Sequence, residues 1–151
     1  MKYKSPKFVK EKKKPTSSTT MAFQRGDRVE ISSNEEGLAG SYFTANIIAS
    51  ISKKEYIIQY RTLLDDDGFG PLREIVSADQ IRPTPPEIVT TEFSLLDMVD
   101  ACDNDGWWVG KIIRKMGSNY LVYFENSREE IVYPLRQLRI HQEWDGGVWV
   151  Y

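Results

Sequence analysis

Residues 42–48, YFTANII, and residues 107–113, WWVGKII, share one pattern: an aromatic pair, a β-branched residue, a small residue, a polar residue and two isoleucines. Side chains of a strand alternate between its two faces, so each string puts an apolar set on one face and a mixed set on the other. The flanking sequence repeats in the same order. Asp27–Arg28–Val29–Glu30 matches Asp97–Met98–Val99–Asp100, Tyr56–Ile57–Ile58–Gln59–Tyr60 matches Tyr120–Leu121–Val122–Tyr123–Phe124, and Gln80–Ile81–Arg82 matches Gln137–Leu138–Arg139. Only the loops differ in length. Repetition of this kind predicts two like units in tandem.

In the first unit, strands are expected over Asp27–Ser32, Phe43–Ser50 and Glu55–Arg61, with shorter ones near Arg73–Val76 and Gln80–Arg82. Turn residues separate them at Ser33–Gly40, Ser52–Lys54 and Leu64–Pro71, and Ser77–Gln80 suits a single helical turn. A small sheet of about five strands leaves open edges, and closing it into a barrel removes them. A barrel of some 60 residues buries only about 60% of its chain surface. Two such barrels are therefore expected to pack together. The expected organisation is all-β: residues 23–83 form the first barrel, residues 84–92 a proline-rich linker, and residues 93–151 the second barrel. Pro83, Pro85 and Pro86 exclude a sheet interior at the join. The tail Ile140–Tyr151 carries Trp144, Val148, Trp149 and Tyr151, and is expected to dock on the second barrel or the junction.

Charge is distributed unevenly. Residues 1–22 hold seven lysines and one acid, a net +6, while the remaining residues carry a net −8. The basic tail is too polar to bury a core and is expected to be disordered; a nuclear localisation signal, a weak phosphate-binding arm and a merely solvated extension all fit it. The acidic remainder attracts cationic partners and repels phosphate backbones. Cys102 and His141 are the sole members of their types. Neither an internal disulfide nor a cysteine–histidine zinc site can be built from them. No glycine-rich phosphate loop, metal cluster or triad accompanies the acid pair Asp103 and Asp105, so neither enzymatic activity nor a cofactor is expected. No apolar run approaches the roughly 18 residues a membrane helix needs, so no membrane partner is expected.

The strings GDRVEISSNEEGLAGSYFTANII (residues 26–48), REIVSADQIRPTPP (73–86), LLDMVDACDNDGWWVGKII (95–113) and NYLVYFENSREEIVYPLRQLRIHQEW (119–144) together resemble a plant Agenet tandem. This is a branch of the Tudor-like Royal superfamily. The resemblance covers roughly residues 23–146. It implies two Tudor-like (SH3-like) barrels that read histone tails in the plant nucleus, in gene silencing or transcriptional regulation.

The chemistry of such reading is simple. A methylated ammonium keeps its charge, is attracted to aromatic faces, and bonds a carboxylate through any N–H it retains. Candidate rings lie at strand ends: Tyr42, Phe43 and Tyr60 in the first unit, and Trp107, Trp108 and Phe124 in the second. The resemblance places Phe43, Tyr60, Trp108 and Phe124 at Tudor cage positions. Candidate acids are Glu35, Glu36, Asp65, Asp66 and Asp67 for the first unit, and Asp103, Asp105 and Glu125 for the second. The long acidic loop after Tyr60 favours the first unit for the methyl-lysine pocket, with the second supplying groove surface. Trp107 and Trp108 cannot both face inward on a regular strand, so one of them marks an interface or a binding site. The expected partner is a histone-tail peptide with a methylated lysine. The competing readings are an adaptor for other nuclear proteins without methyl preference, and an RNA- or DNA-binding barrel, which the acidic core disfavours.

Overall fold

The computed structural model describes residues 22–33, 35 and 37–151. Nearly all of the basic tail, and Glu36, lie outside these described residues. Twelve strands follow in order: β1 (Arg28–Ser32), β2 (Ser41–Ser50), β3 (Glu55–Leu64), β4 (Pro71–Ser77), β5 (Ile81–Pro83), β6 (Met98–Asp103), β7 (Gly106–Met116), β8 (Asn119–Phe124), β9 (Glu129–Pro134), β10 (Leu138–Ile140), β11 (Glu143–Asp145) and β12 (Val148–Val150). Single 3-10 turns, Ala78–Gln80 and Leu135–Gln137, precede β5 and β10.

The two units have one topology. The first pairs as β4-β3-β2-β1-β5 and the second as β9-β8-β7-β6-β10, with every pairing antiparallel. The long strands β2 and β7 each slip register partway along, between Ile47 and Ala49 and between Ile112 and Arg114. An extra residue there bends the strand, which lets it serve two walls of a small barrel. Repeated aromatic contacts close each barrel. The backbone N–H of Phe23 donates to the Tyr56 hydroxyl at 3.3 Å, and that of Phe93 to the Tyr120 hydroxyl at 3.1 Å, with the rings edge-on in both cases. Val29, Ile31, Ile47, Ile58 and Ile81 lie in the first core, and Val99, Ala101, Ile112, Val122 and Leu138 in the second. Ala45 of the first repeat is Gly110 in the second. A Cβ at Gly110 would lie 2.4 Å from Val122 Cγ1, so no side chain fits there.

The opening strings meet each other in the fold. Ser41 pairs with Trp108 and Tyr42 with Trp107, so β2 and β7 join both units into one ten-stranded sheet. On the outer face of this seam lies a buried ionic network. Glu30 is 1% exposed and Asp100 0%. Arg82 holds Glu30 Oε1 through Nε and Nη2, at 3.1 and 2.8 Å. Arg139 donates to Glu30 at 2.8 and 3.0 Å and to Asp100 Oδ2 at 2.8 Å, tying the units together. The arrangement is itself a repeat. The Arg82 guanidinium stacks 3.4 Å from the centre of the Tyr42 ring, and that of Arg139 stacks 4.0 Å from the Trp107 ring.

The tail docks at this junction. β11 and β12 form a hairpin whose turn runs through Gly146 and Gly147, with φ of 58° and 96°. Those angles suit a two-residue turn that only glycine, Asn or Asp adopts easily. Trp144 and Trp149 pair across it, ring centroids 5.0 Å apart. Arg82 Nη1 donates to the Gln142 carbonyl at 2.6 Å, and Trp149 covers the same guanidinium at 5.0 Å.

Candidate functional site

A cavity of about 350 Å³ opens beside the seam in the second unit. Three rings wall it, each delivered by a different strand. Trp108 comes from the start of β7, Phe124 from the end of β8, and Tyr133 from β9. Glu129, Ile131 and Tyr133 alternate along β9 and so share the face turned to the cavity. Phe124 and Tyr133 meet edge to face at 6.1 Å. The indole of Trp108 is fixed by its Nε1, which donates to the Asp103 carbonyl at 2.7 Å, and by edge contact with Phe43 at 6.1 Å.

Two carboxylates belong to this cavity. Asp103 ends β6, and its Oδ2 accepts the Tyr133 hydroxyl at 2.6 Å. Burial, and then the Asp103 carboxylate, push Tyr133 far above the ordinary tyrosine range, so the hydroxyl stays neutral and donating. Glu129 begins β9 on an exposed stretch. The last wall comes from the first unit. Gly37, Ala39 and Gly40 lie against the cavity, the Val109 N–H donates to the Gly40 carbonyl at 2.9 Å, and Asn126 Nδ2 to the Ala39 carbonyl at 2.8 Å. Gly40 has φ of 78°, and a Cβ there would sit 3.3 Å from Asn126 Nδ2. Glycine lets the loop approach this closely. The cavity therefore depends on both units.

The candidate residues of the first unit lie elsewhere. Phe43 and Tyr60 are each 6% exposed and meet edge to face at 6.3 Å within the first core. A Cβ on Gly106 of the second unit would lie 2.8 Å from Phe43, so the β6–β7 turn packs directly on that ring. Tyr60 is further held by its hydroxyl, which donates to Glu74 at 2.6 Å. The sequence favours the first unit for the pocket, whereas Phe43 and Tyr60 lie in the core of their own barrel and do not line the aromatic cavity. Tyr42 and Trp107 are occupied by the chain's own arginines.

The described candidate acids of the first unit likewise do not line the aromatic cavity. Asp65 Oδ1 accepts the Phe69 N–H at 3.3 Å, tying its own turn, and Asp66 and Asp67 are exposed beside it. Glu35 is exposed near the start of the loop leading to β2, and Glu36 lies outside the described residues. In the second unit, Asp105 and Glu125 are exposed in turns. Of the candidates, Trp108, Phe124 and Asp103 are brought together. Tyr133, Glu129 and Asn126 were not among the candidates. Tyr133 and Glu129 had a signal in the alternation of EEIVYP, residues 129–134, whose odd-numbered positions share one face.

The family model described as Agenet domain matches residues 26–86 and 96–143. In Arabidopsis thaliana, Protein AGENET DOMAIN (AGD)-CONTAINING P1 is 37% identical over 128 residues, covering 84% of this chain and 25% of the relative. DUF724 domain-containing protein 3 of the same plant is 40% identical over 138 residues, covering 87% of this chain and 20% of the relative. This chain thus spans a quarter or less of the length of those two proteins. The crystal structure of Arabidopsis thaliana AGDP1 AGD34 superposes with a TM-score of 0.81 at 36% identity, covering 84% of this chain and 88% of that one. The crystal structure of ADCP1 tandem Agenet domain 3-4 gives a TM-score of 0.76 at 34% identity, with coverage of 84% and 86%.

Proposed function

The chain belongs to the Agenet domain family, and from that premise we propose that it reads a methylated lysine on a basic, histone-tail peptide. The observation that carries the reading is the cavity enclosed by Trp108, Phe124 and Tyr133, with Asp103 and Glu129 at its edge. Three ring faces attract a methylated ammonium by about 0.5–2 kcal/mol per good contact when water is excluded. A carboxylate on the rim accepts the N–H that a mono- or dimethyl form retains. The side chains around the cavity offer aromatic, amide and carboxylate groups, which suits binding rather than turnover. The net −8 of the chain beyond residue 22 draws a basic peptide toward it from any approach. In this reading the protein works on chromatin in the nucleus, in transcriptional silencing or regulation.

A calorimetric titration with unmethylated, mono-, di- and trimethylated forms of one basic peptide tests the proposal. The methylated forms should bind at least tenfold more tightly, and Trp108→Ala should remove that preference. Asp103→Asn should weaken the mono- and dimethyl forms more than the trimethyl form, which has no N–H to donate. Equal affinity across the series would instead indicate an adaptor indifferent to methylation.

A further inference from the structure

A second concavity, of about 390 Å³, shares Asp103 and Asn104 of the β6–β7 turn with the aromatic pocket. Half of its other lining residues come from the first unit, and half from the second. Arg28 stands opposite Asn46 on β2, and Glu30 opposite Thr44, so Arg28 and Thr44 are diagonal neighbours. Tyr60, which points into the core, stands opposite Ala45, so Arg61 beside it points outward in the row of Thr44. All three line the concavity, with Asp105 and Trp107 across from them.

The two arginines are unlike their neighbours at the junction. Arg82 and Arg139 are saturated by Glu30 and Asp100, whereas neither Arg28 nor Arg61 has an ion-pair partner among the described residues. Of the two aspartates at this wall, Asp103 directs its carboxylate to the Tyr133 hydroxyl and to the N–H of Asn104. Asp105 gives its backbone carbonyl to Thr62 Oγ1 at 2.7 Å, and it is the one remaining carboxylate set against two guanidinium groups.

We propose that this concavity receives the phosphate of a phosphorylated serine or threonine on the same peptide whose methylated lysine enters the aromatic pocket. The inference rests on the reading of that pocket as a lysine site. Two guanidinium groups and the Thr44 hydroxyl can donate to several oxygens of a phosphate dianion at once, which a single peptide carboxylate uses less fully. The shared turn sets the spacing. An extended peptide advances about 3.3 Å per residue, so with the two cavities sharing a turn the phosphate belongs within a few residues of the lysine. The concavity would make the protein a reader of two adjacent marks.

The sign of the phosphate effect is diagnostic, because the acidic remainder of the chain opposes a phosphopeptide. Four versions of one basic peptide are titrated by calorimetry: unmodified, lysine-methylated, phosphorylated within a few residues of that lysine, and doubly modified. Each is measured against the unaltered protein and the Arg28→Gln/Arg61→Gln double variant, whose changes lie on exposed side chains. Phosphorylation should tighten binding about fivefold in the unaltered protein, and the double variant should lose that gain. Phosphate that weakens binding, leaves it unchanged, or strengthens it equally in the double variant overturns the proposal. Equal binding of single-stranded nucleic acid through the same arginines overturns the assignment to a peptide. If phosphate strengthens binding through these arginines while methylation has no effect, the phosphate subsite stands and the lysine pocket falls. A methyl effect without a phosphate effect means the reverse.

Discussion

Glu30 shows what alternation reveals and what it hides. Alternation along β1 puts Val29 and Ile31 on one face and Glu30 on the other, and the first two lie in the core of the barrel. Yet Glu30 is sealed, because the outer face of one barrel is the inner face of the pair. The same holds for Asp100, while Tyr42 and Trp107 are half-buried, their rings stacked against Arg82 and Arg139. Period two tells which side of a strand a residue takes, but not what will be packed against that side. Phe43 and Trp108 occupy matching positions in the repeat, and sequence alone could not separate them. One is closed by the β6–β7 turn and the other borders the pocket. The energetic weight of Glu30 follows from its place between two guanidinium groups. Glu30→Gln leaves Arg82 without a carboxylate and Arg139 with one of its two, both largely withdrawn from water. Breaking a buried pair from one side costs about 3–5 kcal/mol. Urea denaturation should show a loss of that size, whereas Glu129→Gln, on an exposed position, should cost under about 0.5 kcal/mol.

Strands were the most legible elements. The expected cores of β1 to β5 fall within or beside the observed ones, and the single turn before β5 forms as a 3-10 turn. The pairing of β2 with β7 could not be read, because it depends on how two finished barrels meet. The apolar composition of the tail points to docking but does not by itself reveal a hairpin, although its two adjacent glycines follow an aspartate in a turn pattern. A two-stranded hairpin is marginal in water by itself. This one depends on the Trp144–Trp149 pair and on Trp149 lying over Arg82. Those contacts contribute about 0.5–1.5 kcal/mol for the aromatic pair and about 0.5–2 kcal/mol for the cation–π contact. Trp149→Ala should therefore cost about 1–3.5 kcal/mol locally. Hydrogen exchange should show Glu143–Val150 losing protection while the amides of β2 and β7 keep theirs. Equal loss across both barrels would mean that the hairpin is part of the main cooperative unit.

At the scale of the whole molecule, the network joins four strands of the two barrels to the tail, and His141 is its titratable link near neutrality. Asp100 of β6 bonds its Nδ1 at 2.7 Å, and Glu143 of β11 bonds its Nε2. The ring of Tyr42 on β2 lies 6.5 Å away. Arg139 of β10, Glu30 of β1 and Arg82 of β5 complete the charged surroundings. Burial works against a charged imidazole here, but the Asp100 and Glu143 carboxylates outweigh it and hold His141 above its usual value. A raised folded value means that folding takes up a proton. The resulting stabilisation is complete below the unfolded value of about 6.5, and it is lost as pH rises through the higher folded value. Denaturation midpoints should thus decline as pH climbs above about 6.5. His141→Gln should be less stable at the acid end of that window, and its curve should be flatter. Because Gly37–Gly40 of the first barrel wall the pocket of the second, peptide affinity should weaken over the same window if the seam loosens. Affinity that holds constant while stability falls would show that the pocket wall is kept in place by the β2–β7 pairing and by Asn126, independently of the ionic network.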